Sequence, residues 1–201
     1  MNTYPATVVA VQPVIEPLYL ALQHGLKVAA EIHGQHRWRR RHDKQYYSHT
    51  VRRRAVEDLR DGGFVVDEDD HGNVPAMSGI TVRHGGVALR MYRAPVTRKG
   101  VVEVPLPRRS LKLQAFYRQE AGSVLPGMET NNVLGLWQDD EGVLIDPIIL
   151  VRPLGGDHRK ENLRLDWKGP LRREMANYRA VDLTALEPDV QYPRLDEGMT
   201  G

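Results

Sequence analysis

The apolar periodicity of this chain changes once, near residue 79, and that change constrains the fold more than any other feature. Ahead of it, apolar residues recur every three or four positions, the spacing of a helix face. Beyond it, short apolar runs separated by turn residues have the character of strands. Leu18, Leu22, Leu26, Ala29 and His33 share one face of a helix over 18–33, which Gly34 is expected to end. A short helical stretch follows over 35–42. Tyr47, Val51, Ala55 and Leu59 make a stripe at a spacing of four on a helix beginning near Ser48, with Ser48 or Thr50 as its cap. Residues 1–17, with Pro5, Pro13 and Pro17 among valines, read as an arm or edge strand that enters the first helix at Glu16 and Pro17.

The strand signals follow. Phe64, Val65 and Val66 are strand-like, and residues 69–73 are a hairpin-type turn. Residues 80–82 and 87–92 flank His84-Gly85-Gly86 as a hairpin. Segments 101–104, 133–137, 143–151 and 162–167 are further strands. Residues 111–119 are basic, aromatic and helical in character. A last helix over 171–179 precedes an acidic tail, 181–201, expected to be disordered. Helices first and strands second predict an α+β fold: a helical part over 1–75, then a mainly antiparallel strand-rich part over 76–180.

Composition narrows the function classes. Hydrophobic residues make up 41% and charged residues 27%, which suits a packed core. The absence of cysteine excludes disulfides, thiolate metal sites and cysteine nucleophiles. No apolar run approaches the roughly 20 residues of a membrane helix, and residues 1–17 lack the pattern of a secretory leader. A soluble, cytoplasmic protein with no membrane partner is expected. Net charge is only +2, but cations are concentrated. Arg37, Arg39, Arg40, Arg41, Lys44, Arg52, Arg53, Arg54 and Arg60 crowd one segment, and the sign reverses over 67–70.

Ser48, Thr50, Val51, Arg52, Ala55, Leu59, Gly62 or Gly63, and Phe64 together resemble the recognition helix and first wing strand of winged helix-turn-helix regulators of the GntR-like type. The resemblance covers about 18–74. It implies a DNA-binding regulatory protein without enzymatic activity, its strand-rich part serving dimerisation, ligand or partner contact. The residues expected at DNA are Arg37, Arg39, Arg40, Arg41, Lys44, Tyr46, Tyr47, Ser48, His49, Thr50, Arg52 and Arg53. The physics is independent of the name: side chains from such a helix read base edges while flanking Arg and Lys hold phosphates. The tyrosine hydroxyls of Tyr46 and Tyr47 are placed to reach a phosphate. Acidic residues where a wing would approach DNA favour a different use. A protein-interaction module, or a solvated face paired to Asp61 and to residues 67–70, therefore stays open.

A third, weaker reading comes from Pro153-Leu154, Gly155-Gly156-Asp157 and Asn162-Leu163-Arg164, which resemble the middle of an HNH endonuclease motif. That family's Asp-His pair would fall at Val151-Arg152, and its closing ligands are missing, so a hairpin turn is expected instead. His33 and His36, with His42 and His49 nearby, have spacing suggestive of zinc, but the flanking arginines oppose a cation. Capping or surface roles are expected for them. Asp139, Asp140, Glu141 and Asp146 read as an acidic hairpin turn. Residues 108–118 interleave bases with aromatics, suiting either nucleic-acid stacking or an amphipathic docking helix. No catalytic residue, metal or cofactor is expected.

Overall fold

The computed structural model describes residues 2–38, 43–67, 79–94, 102–107, 109–120 and 131–191. The expected turn at 69–73, most of the loop before Asn131, Arg39, Arg40, Arg41, His42 and the tail beyond 191 lie outside the described residues.

The first element is not an arm followed by a helix. It is a single 32-residue helix, α1 (Tyr4–Gln35), capped by Thr3, whose hydroxyl accepts from the Ala6 N–H. Pro13 and Pro17 sit inside it, where each removes an intrahelical hydrogen bond. Burial outweighs that cost. Tyr4, Val8, Val11, Ile15, Leu18, Leu22, Leu26 and Ala29 form one stripe sunk in the main core. The expectation of no span-length apolar stretch is also corrected. Taken as one helix, α1 is long and apolar enough to cross a membrane by length and composition, and half of its most apolar window is buried in the protein.

The second helix, α2 (Lys44–Asp61), begins four residues earlier than expected. Its cap is Asp43, whose carboxylate accepts from the Tyr46 N–H at 3.0 Å. Thr50 instead donates to the Tyr46 carbonyl within the helix. The helices cross closely because Gly25 faces the α2 backbone: a Cβ there would lie 2.5 Å from the Val51 carbonyl oxygen. The expected helix over 35–42 does not form in its described part, where residues 36–38 are a turn.

Strands β1 (Val65–Val66), β2 (Ile80–His84), β3 (Val87–Arg93), β4 (Asn131–Trp137), β7 (Ile148–Gly155), β8 (Arg164–Leu171) and β9 (Val190–Gln191) form one sheet in the order β1-β2-β3-β4-β7-β8-β9. Two short strands, β5 (Asp139–Asp140) and β6 (Val143–Leu144), make a separate hairpin. Every neighbouring pair is antiparallel except β3 and β4. That parallel step requires a crossover, which contains α3 (Leu111–Tyr117). One core lies between the sheet and α1 with α2; a second joins α3 to the opposite sheet face. The fold is therefore α+β and mainly antiparallel. The expected division at residue 75 falls inside a shared core, because buried residues from Tyr4 to Leu183 belong to one cluster.

Three smaller corrections follow. The expected strand 143–151 is broken at Asp146-Pro147, a cis peptide bond. Segment 171–179 ends β8 and then makes a 3-10 turn, Arg173–Asn177, since Gln12 reaches across from α1 to its carbonyls and those of Tyr178. The start of the acidic tail is ordered as α4 (Ala180–Thr184) and β9.

Three phenols are buried against backbone carbonyls. Tyr4 donates to Pro170, and Tyr117 to Pro105. Tyr19 lies 2.5 Å from the Leu171 carbonyl and 2.6 Å from Asp146, and accepts from the Ile148 N–H. Burial pushes Tyr4 up to about 12 and raises Tyr19 and Tyr117 as well. The unfolded phenol ionises near its ordinary value of about 10, so above that pH the native state holds more protons. Stability should be unaffected by these groups below about pH 10 and fall as pH rises toward 12. Urea melts across that range check this; a Tyr4→Phe chain should show a shallower fall, and an equal fall would discount Tyr4.

Candidate nucleic-acid interface

The expected DNA-contacting residues separate into two groups. The first lies along α2, where the stripe of Tyr47, Val51, Ala55 and Leu59 packs inward. Tyr47 is only 2% exposed, so it is not free to meet a phosphate as expected. The Arg93 guanidinium sits 6.0 Å over its ring, and Arg93 also reaches Asp139 and the Ser48 hydroxyl. Ser48 is thereby an internal acceptor. Arg52 donates to the Ser48 carbonyl, and burial, with Arg90 acting in the same direction, lowers its guanidinium below the ordinary value. Arg53 points outward but lies 3.5 Å from Glu57. Arg54 is 3.2 Å from Glu57 and 2.8 Å from Asp58. Arg53 and Arg54 are thus matched by Glu57 and Asp58 on the same helix, and Asp67 pairs with Arg83. His49 and Thr50 remain partly exposed on the helix.

The second group lies at the corner where α1 ends and α2 begins. The end of α1 is not at Gly34. Trp38 N–H donates to the His33 carbonyl at 2.8 Å and Arg37 N–H to Gly34 at 3.1 Å, the paired bonds of a Schellman cap. Arg37 takes the left-handed position, φ 54°. The same motif ends α2, where that position is Gly63 at φ 80° and the paired bonds run from Phe64 to Leu59 and from Gly63 to Arg60. Glycine occupies it at no steric cost, whereas an L side chain there costs roughly 1–2 kcal/mol.

The cap brings aromatic rings together. Trp38 stacks on His36 at 4.6 Å and meets the rings of His33 and Tyr46 edge-on at 5.7 and 5.5 Å. His33 is 4% exposed, and neither ring nitrogen has a hydrogen-bond partner among the described residues. Trp38 and Tyr46, in contrast, are 46% and 40% exposed. Arg37, next to Trp38 in the chain, and Lys44, two residues before Tyr46, are exposed and have no ion-pair partner among the described residues. His36 is the helix C-cap, a role expected for these histidines, whereas His33 is buried and takes neither the capping nor the surface role expected. Trp38 is not among the residues the sequence places at DNA; its place in a basic run is the available signal.

The other constellations resolve as turns and core. Residues 156–163 connect β7 to β8, forming an open hollow of about 450 Å³ lined by Gly156, Asp157, Glu161, Asn162 and Arg164. Asp157 accepts from the Arg159 N–H and from Asn162, bonds that hold its carboxyl below the usual range and close the loop internally. Asp139 to Gly142 is a hairpin turn with positive φ at Glu141 and Gly142. Phe116 and Tyr117 of α3 are buried in the second core, the docking-helix alternative. Among the described residues no three His, Asp or Glu side chains gather as metal ligands. Comparison with protein families, curated proteins and solved structures gives no match.

Proposed function

We propose that this chain is a cytoplasmic nucleic-acid-binding regulatory protein that grips its target through the corner between α1 and α2. The observation that carries the reading is an exposed Trp38–Tyr46 pair with Arg37 and Lys44 close by in the chain, cations with no ion-pair partner among the described residues. Phosphate neutralisation by such cations supplies sequence-independent affinity, and partly exposed aromatic rings supply stacking. The finer winged-helix form is supported by the order α2, β1, β2, in which a basic helix runs into antiparallel strands. Against it stand the single long α1, the paired arginines of α2 and a sheet of seven strands.

Fluorescence anisotropy against DNA at low and moderate salt tests the reading, with binding expected to weaken steeply as salt rises. Arg37→Gly separates charge from fold. Relief of the left-handed strain, less the added freedom of the unfolded glycine, should raise stability by roughly 0.5–1 kcal/mol. The same change should remove about one unit of salt slope. Arg53→Ala should matter less, because Glu57 already engages that arginine. If Arg53→Ala weakens binding more than Arg37→Gly, the interface is the face of α2 and not the corner.

A further inference from the structure

The corner presents two partly exposed aromatic rings rather than a projecting helix, and that difference bears on the form of nucleic acid it takes. In a duplex the base faces are already stacked on one another, so an exposed tryptophan finds phosphate and groove edges only. In a single strand every base offers its face. The outward surface of α2, which would enter a groove, has its Arg53 and Arg54 engaged by Glu57 and Asp58. The exposed aromatic area lies at the corner, at Trp38 on a cap closed by two backbone hydrogen bonds and at Tyr46 in the first turn of α2. Behind these rings is the nine-tenths buried His33, a polar ring with no hydrogen-bond partner among the described residues.

We infer that the corner seats an unpaired base of a single-stranded nucleic acid, with Trp38 and Tyr46 as the stacking surface and Arg37 and Lys44 holding its phosphates. This rests on the nucleic-acid reading above and adds the class of strand. Arg37 in the left-handed position sets a cation directly beside Trp38, which a glycine there would not do.

The chain carries its own reporter. Of its three tryptophans, Trp137 and Trp167 are 1% and 3% exposed, leaving Trp38 as the one a ligand can reach. The experiment titrates the full chain with oligothymidylate, oligouridylate and duplex DNA of equal length. Tryptophan fluorescence and the anisotropy of a labelled strand are read together. Single strands should bind at least about 10-fold tighter than the duplex and quench the exposed fluorescence. Trp38→Leu should weaken single-strand binding by roughly 5- to 150-fold, with duplex binding little changed, and Trp38→Phe should recover most of the loss. The two single strands show whether the sugar is distinguished. Duplex binding as tight as single-strand binding, without quenching, would overturn the base seat and leave nucleic-acid binding standing. Failure of all three probes at low salt would overturn both.

Discussion

Replacing Asp166 with alanine should lower the stability of this protein by about 3–5 kcal/mol, the loss expected when one partner of a buried ion pair is removed. Asp166 accepts from Arg152 Nη1 at 2.7 Å, and both side chains are buried. Arg152 Nε donates to Asn131 at 2.8 Å, and Asn131 donates to the Thr7 hydroxyl at 2.7 Å. The chain of bonds thus runs from β8 through β7 and β4 to the first turns of α1. Removing the carboxylate strands a guanidinium in the core, where water cannot replace the partner. The double variant Arg152→Leu with Asp166→Leu should be less damaging than Asp166→Ala alone, since apolar groups of similar size leave no charge uncompensated. Urea unfolding measures both. A single variant within about 1 kcal/mol of the parent would mean that water reaches the pair.

Gln119→Ala should cost roughly 2–4 kcal/mol, because one amide closes a gap in the sheet that the backbone cannot close. Gln119 follows α3 in a left-handed conformation, φ 62°. Its side chain donates to the carbonyls of Asn132 and Pro153 and accepts from the Asn132 N–H. Pro153 has no N–H to offer β4, so the side chain stands in as a strand partner there. Gln119→Gly loses the same bonds but relieves the backbone, and should be milder than the alanine by about 1 kcal/mol. Gln119→Glu keeps the acceptor and turns a negative charge toward two carbonyls. It should be destabilised at neutral pH and partly recovered below the carboxylate range, where the acid can donate again. A Gln119→Ala chain as stable as the parent would show that water fills the wedge.

The strand-rich half was the more legible half. The hairpin around Gly85 and Gly86 and the strand ending at Trp137 follow from alternation and turn chemistry, which are local. The hairpin joining β7 to β8 was legible for the same reason, whatever its likeness to a nuclease motif. The N-terminal helix was misjudged because local signals conflicted. Pro13 and Pro17 argue for a break, and burial of the whole stripe from Tyr4 to Ala29 in the main core outweighs them. The start of α2 was displaced because Asp43 and Ser48 are both good caps, and the stripe does not choose between them.

The candidate interface divides in the same way. That cations cluster between residues 37 and 60 is a property of the sequence. Which of them stay available is not, because ion pairing and burial depend on neighbours. Arg52, expected at DNA, bonds the Ser48 carbonyl of its own helix; Arg53, expected there, meets Glu57; Tyr47, expected there, is core. Trp38 was passed over, and the Schellman cap carries it to the surface beside Tyr46. By itself the sequence determined the α+β order, the apolar stripes and the basic block, since these depend on residue type and spacing. The tertiary structure alone decided that α1 is continuous, that the halves share one core and that the exposed rings meet at a corner, since each is set by contacts between residues far apart in the chain.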